Sequence, residues 1–352
     1  MRRRCGLQSQ LVSPPTSYGR FLDSHPDNAT HGQMKAIVQE GYGLPDVLKL
    51  REVETPSIDD QGVLVQVHAA SVNALDCHIT RGTPYLVRIG GLRAPKDSIR
   101  GVDLAGRVVA VGKNVTRFKP GDEVFGGSNG SFADYAPTTE NQLASKPPAL
   151  SFEQAATLNI AGLTALQGLR DKARVQAGQR VLINGAGGGV GTFAVQIAKW
   201  LGASVTAVTR TESVDLVRSI GADEVIDYRR EDFTRRGERY DVLFDIGGNR
   251  SFADCRRVMA PHAVLIAVGA PAGRWLAPAT RLLKAAALSP FGSRRFVPLI
   301  CKPAPQPRLT SGPHASGDDL SSHRPTLHAQ GYTRCDRSCR DRAGAWQGRD
   351  PR

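Results

Sequence analysis

From Val181 to Val268, short apolar runs bounded by glycine alternate with stretches in which apolar residues recur every three or four positions. Val181, Leu182 and Ile183 form the first run without a polar break, as a parallel strand buried on both faces requires. Phe193, Ala194, Ile197, Ala198 and Leu201 follow at helical spacing, and Gly202 supplies a left-handed stop. The pattern predicts further strands at Ala203–Val208, at Glu224–Asp227, within Tyr240–Gly248 and at Val264–Val268, the last closed by Gly269. It predicts helices around Val214–Ile220 and Cys255–Met259. Strands alternating with helices specify an α/β fold with a doubly wound parallel sheet.

Between Met34 and about Leu150 the period changes. VLVQVHAASVNALD, GVDLAGRVVAVG and GDEVFGGSNGSFADYA alternate apolar with small or polar residues and break at glycine, as antiparallel strands with tight turns do. A β-rich, partly barrel-like domain therefore precedes the parallel sheet.

The length of 352 residues and 40% hydrophobic content suit about two domains with cores of ordinary size. No run of 18 apolar residues occurs, so no membrane span is expected. The six cysteines contain no C-x-x-C pair, which argues against a zinc ribbon or redox pair and points to a reduced, cytoplasmic compartment. A net charge of +13 is spread without a Lys/Arg stripe interleaved with aromatics, so nucleic acid is not an expected partner.

The two ends differ from the middle. Residues 1–33 carry Arg2, Arg3 and Arg4 and then a polar run without a secretory apolar core. They read as a disordered extension: organelle targeting stays open, and a wrongly assigned start upstream of Met34 is the preferred reading. From Lys302 to Arg352 there is no Val, Ile, Phe, Met or Glu. Such a segment buries too little apolar surface to offset its ordering entropy and is expected to be disordered.

The chemistry concentrates at GAGGGVG. Ala186, Gly188 and Gly191 fit the A-x-G-x-x-G form of the dinucleotide fingerprint between a strand and a helix. Small residues there let the backbone of Gly185, Ala186, Gly187, Gly188, Gly189, Val190 and Gly191 approach a pyrophosphate. Where the following strand ends, an acid would favour a ribose 2′-hydroxyl and an Arg a 2′-phosphate. Arg210, with Thr211 and Ser213, points to NADPH over NADH, while Glu212 on the same loop weighs the other way.

These motifs together resemble the medium-chain dehydrogenase/reductase superfamily and, within it, the zinc-independent quinone oxidoreductase branch. The resemblance covers about Met34 to Leu299 and rests on SVNALD, GVDLAGRVVAVG, FKPGDEVFG, AGLTAL, AGQRVLINGAGGGVG and GADEVIDY in that order. It implies a GroES-like catalytic domain over 34–155 and an NAD(P)-binding Rossmann domain over 156–300. It further implies hydride transfer to a quinone, an enone or a similar carbonyl, and a homodimer. Donors aimed at the developing oxyanion suffice for such a reaction, because the cofactor carries the hydride chemistry.

By the same resemblance, Asn73 faces the nicotinamide and Tyr85 offers a phenolic donor. Thr164 touches the nicotinamide ribose or amide, Tyr228 lies near the adenosine phosphate, and Gly269 belongs to the cofactor set. For Asn73, Tyr85 and Tyr228 a plain structural role is an equal alternative. Asp76 is expected to orient its loop through a salt bridge to Arg81. Zinc relatives place a Cys where this chain has Asn73, a His-Glu pair where it has Val102 and Asp103, and a further Cys near Ile160, so no bound metal is expected. The substrate pocket is expected around Gly82–Lys96 and Gly273–Phe296.

Family members end like RGKVVI, whereas this chain ends GAWQGRDPR. A back-translation of Gly344–Arg352 read one base later yields ERGKVVIR. A frameshift between Ile300 and Ser322 is therefore expected to replace the end of the catalytic domain over 301–352. The alternative to an active enzyme is an impaired or non-enzymatic product that still binds the dinucleotide.

Overall fold

Uninterrupted apolar strands demand cover on both faces, and the strands after residue 180 meet that demand as one parallel sheet. The computed structural model describes residues 32–268 other than 84, 86, 87, 89 and 90, together with 283–285, 287 and 293–301. The expected tail over 302–352, the extension before residue 32 and Gly269 lie outside the described residues.

The parallel sheet holds β8 (Arg180–Asn184), β9 (Ser204–Thr209), β10 (Glu224–Asp227), β11 (Tyr240–Asp245), β12 (Met259–Ala267) and β13 (Arg295–Pro298). Their spatial order, β10-β9-β8-β11-β12-β13, reverses direction between β8 and β11. Ligands bind beyond the carboxyl ends of strands at such a switch point. α4 (Gly189–Trp200) connects β8 to β9, and Gly202, at φ +79°, follows it in the expected left-handed conformation. α5 (Val214–Ser219) and α6 (Phe252–Arg257) complete the crossovers. α6 stops short of the predicted Met259, which instead opens β12: it pairs with Tyr240 and is fully buried, so the sheet core claims it.

Upstream, β1 (Gln33–Gln39) pairs with β2 (Leu48–Glu54). A five-stranded antiparallel sheet combines β3 (Gly62–Ser71), β4 (Asp103–Val111), β5 (Glu123–Gly127), β6 (Tyr135–Thr139) and β7 (Leu143–Ser145) in the order β6-β3-β4-β5-β7. The strand pattern read through Val63–Asp76 holds only to Ser71. There Asn73 caps α1 (Ala74–Arg81), and Asp76 accepts the Asn73 N–H at 2.7 Å to close a capping box. A capped turn outweighs the alternation that suggested strand.

A helical stretch from Phe152 to Ala173 joins the two sheets. It begins as α2 (Phe152–Ala156), capped by Ser151, and widens into π turns at Leu158–Gly162 and Gln167–Ala173 around α3 (Leu163–Leu166). One apolar cluster links Ala105, Phe125 and Ala144 of the antiparallel sheet through Ala155, Leu166 and Leu169 of this stretch to Ile183, Phe244 and Leu299 beside the parallel sheet. The two sheets thus share a core.

Candidate active site

The turn after β8 is bound tightly to the sheet and is open over Gly188. Gly185 takes φ +98°, and the N–H groups of Gly185 and Ala186 both donate to the Val208 carbonyl at 3.0 Å. A Cβ on Gly187 would collide with Thr209 Oγ1 and lie 2.7 Å from Ser213 Cβ. On Gly191 it would strike the Gly185 carbonyl and lie 2.6 Å from Ala186 Cα, so glycine there lets α4 pack against the turn. On Gly188, the residue capping α4, it would meet only the Gly185 carbonyl at 3.5 Å, so the space over this position is open. The N–H groups of Gly189, Val190 and Gly191 open α4, where no intrahelical carbonyl reaches them and the helix dipole is positive. This is a cradle for a diphosphate, and the residues present fit a dinucleotide.

A neighbouring network escaped the sequence reading. Asn184, ending β8, donates through Nδ2 to Asp245 Oδ1 at 2.7 Å and to Asn249 Oδ1 at 3.0 Å, and Asp245 also accepts the Gly248 N–H at 3.0 Å. The buried Asn184 and Asp245 hold the ends of β8 and β11 at the switch point. A polar residue closing an otherwise apolar strand was the signal.

At the end of β9, Arg210 Nε donates to Ser213 Oγ at 3.3 Å, and Thr211 Oγ1 donates to Asp227 Oδ2 at 2.6 Å. Glu212 pairs with both arginines of this region, with Arg229 at 2.5 Å and more loosely with Arg210 at 3.9 Å. Tyr228 is 42% exposed next to this loop, so the structural alternative of a tyrosine packed in the core does not hold for it.

A second cluster forms around Asp103, the first residue of β4. Its carboxylate accepts from Asn73 Nδ2 at 2.9 Å, Ser71 Oγ at 3.0 Å, Asn159 Nδ2 at 2.9 Å and the Ile160 N–H at 3.3 Å. Burial pushes its pKa from 3.8 up to about 6, against the pull of these donors. Thr164 Oγ1 donates to the Ile160 carbonyl at 2.6 Å, and the Cys301 thiol, its pKa raised by burial, lies against Thr164. Asn73 and Thr164, predicted separately, therefore meet through Asp103 and Ile160. Both amide hydrogens of Asn73 are directed inward, to Asp103 and Ser71.

Asp76 does not form the expected salt bridge to Arg81. Its carboxylate caps α1 at the opposite end of that helix, and burial raises its pKa to about 6. Tyr85 lies under the Arg88 guanidinium at 4.7 Å, with the Tyr42 ring also within 4.5 Å of that group. Arg88 Nε donates to the Gly82 carbonyl at 2.9 Å and Tyr42 donates to the Gly91 carbonyl at 2.7 Å. Tyr42 and Arg88, unmarked by any motif, hold the loop that carries Tyr85.

The alcohol dehydrogenase GroES-like domain family matches residues 59–148, and the zinc-binding dehydrogenase family matches residues 189–297. The quinone oxidoreductase of Homo sapiens is 32% identical over 253 residues, 67% of this chain and 73% of that protein. The chain belongs to the quinone oxidoreductase branch of the medium-chain dehydrogenase/reductase superfamily. The 2-methylene-furan-3-one reductase of Solanum lycopersicum is 37% identical over 261 residues, 70% of this chain and 63% of that protein. The NADPH-dependent alkenal/one oxidoreductase, chloroplastic, of Arabidopsis thaliana is 39% identical over 229 residues, 61% of this chain and 58% of that protein. The chain thus spans less than two thirds of these two reductases. The solved quinone oxidoreductase from Coxiella burnetii superposes with a TM-score of 0.69 at 28% identity, over 87% of this chain and 89% of that one.

One matching family is described as zinc-binding, and the residues of this branch member do not fit that metal. Of Asn73, Val102, Asp103 and Ile160, which the resemblance sets against the zinc ligands of relatives, only Asp103 carries a carboxylate, and it is already bonded to four donors. Among the described residues no group of three His, Cys, Asp or Glu side chains is placed to hold a metal ion. No described helix is long and apolar enough to cross a membrane.

Proposed function

We propose that the chain is an NADPH-dependent reductase that delivers hydride to a quinone or an α,β-unsaturated carbonyl without a metal. The observation that carries this reading is the cradle at Gly187–Gly191: side-chain-free over Gly188, at the N-terminus of α4 and beside Arg210. The N–H groups of Gly189, Val190 and Gly191 bind the diphosphate. Arg210, which shares Glu212 with the closer Arg229, receives the 2′-phosphate with Thr211 and Ser213 beside it. The nicotinamide, when bound, supplies the hydride. Tyr85 donates to the substrate oxygen as negative charge gathers there, and Asn73 and Thr164 border the reacting end of the cleft. A preorganised donor of this kind lowers a barrier by about 3–4 kcal/mol. The names of the tomato, Arabidopsis and human relatives support an enone or quinone as acceptor.

The test mixes purified protein with NADPH and a panel of quinones and enones. Loss of absorbance at the nicotinamide band, slower with NADH, is the expected result. Tight NADPH binding without turnover of any acceptor overturns it. That outcome instead supports a second reading, a dinucleotide-binding chain with impaired catalysis, which the composition of residues 302–352 favours.

A further inference from the structure

Asp103 has no accessible surface, yet its two oxygens serve different parts of the molecule. Oδ2 holds Ser71 and Asn73, where β3 passes into α1 on the catalytic side. Oδ1 holds the Asn159 amide, in the π turn that leads into α3 and Thr164. The Ile160 N–H reaches both oxygens at 3.3 Å. An apolar residue of the same volume would leave the Ser71, Asn73 and Asn159 donors buried without their acceptor, so the carboxylate ties together what it connects. The charged and titratable groups facing it are Asp76 from α1, Arg100 just before β4, which acts on Asp76, and Cys301 after β13.

We propose that Asp103 is a positioning residue that couples seating of the dinucleotide to the catalytic turn, holding the Asn73 amide through one oxygen and the Asn159–Ile160 turn through the other. The inference rests on the reductase reading for its kinetic consequence. When Asp103 is ionised it accepts all four donors, and Asn73 is locked in one rotamer. Protonation removes acceptor capacity and releases Asn73, so turnover falls on the acid side. α4, whose N-terminus forms the cradle, shares an apolar cluster with this stretch through Phe193 and Ala194 against Leu158, Ala161 and Ala165, so a dinucleotide seated there alters the Asn159 and Ile160 bonds, and the proton affinity of Asp103 responds.

The test is an infrared difference spectrum, wild type minus Asp103→Asn, followed across pH with and without NADPH and paired with kinetics. A protonated-carboxyl band titrating near pH 6 is expected, shifted on NADPH binding by about half a unit, roughly a threefold change in proton affinity. Asp103→Asn should lower kcat about tenfold, change NADPH affinity by no more than about threefold, as linkage to the proton requires, and abolish the acid limb of kcat, as loss of one charged hydrogen bond at the reacting end implies. Asn159→Leu keeps the carboxylate but removes a donor that favours its charged form. It should move both the band and the acid limb to higher pH. A band indifferent to NADPH, an Asp103→Asn variant with unchanged kcat and pH profile, or losses of turnover and NADPH affinity in step with lost folding each overturn the proposal. If wild type turns over no acceptor while the band still responds to NADPH, the coupling stands and the reductase reading falls.

Discussion

Glu212 Oε1 lies 2.5 Å from Arg229 Nη1, across the loop that follows β9. A carboxylate in this loop would hold a ribose 2′-hydroxyl or repel a 2′-phosphate, and Arg229 competes with Arg210 for it, at 2.5 Å against 3.9 Å. Arg210→Ala should therefore weaken NADPH binding by about 10- to 100-fold, the equivalent of one charge-assisted hydrogen bond of about 1.5–3 kcal/mol. NADH affinity should change little. Arg229→Ala should act in the same direction by freeing Glu212, and calorimetry with both dinucleotides reads both effects.

The glycines of the turn divide by what surrounds them. Gly191→Ala drives a methyl into the Gly185 carbonyl and should cost about 1–3 kcal/mol of stability, measured by urea unfolding. Gly188→Ala meets nothing closer than 3.5 Å, so its melting temperature should match wild type. Its methyl stands in the notch, however, and NADPH binding should weaken. Equal NADPH affinity in Gly188→Ala and wild type would place the diphosphate elsewhere.

Asp103 titrates at about 6 in the folded chain against an ordinary 3.8, because burial disfavours its charged form. Between those values the unfolded chain has lost its proton and the folded chain has kept it. This group's contribution to stability is thus full below about pH 4 and falls as pH rises toward 6, by about 3 kcal/mol. Asp103→Asn lacks the titration. Its destabilisation relative to wild type should be largest near pH 4 and about 3 kcal/mol smaller at pH 7, read from urea unfolding at both pH values.

Arg88 lies between two aromatic rings, at 4.5 Å from Tyr42 and 4.7 Å from Tyr85. Arg88→Ala removes two cation–π contacts of about 0.5–1 kcal/mol each and the bond to the Gly82 carbonyl. The loop that carries Tyr85 should be cleaved faster by protease, and KM for the acceptor should rise while NADPH affinity stays constant.

The parallel sheet was readable in advance because its signals are local. Apolar runs such as Val181–Ile183 have one stable environment, glycine at 185 is demanded by its own φ of +98°, and glycine at 187 and 191 by neighbours a few residues or one crossover away. β13, by contrast, carries no distinguishing run and exists because β12 offers it an edge. Met259 shows the same dependence: its pairing with Tyr240 turns a residue of helical spacing into strand.

The catalytic side was decided by distance. Asp103 meets Asn73 across 30 residues of sequence and Asn159 across 56, and no periodicity predicts which buried carboxylate finds which donor. Asp76 had a plausible partner in Arg81 and instead took the Asn73 N–H at the near end of the same helix. Pattern and glycine content alone dictated a sheet with a dinucleotide turn, since sterics and burial act between near neighbours. Folding alone chose the hydrogen-bond partners around the reacting end, since a buried polar atom bonds whatever the packed chain brings within about 3 Å.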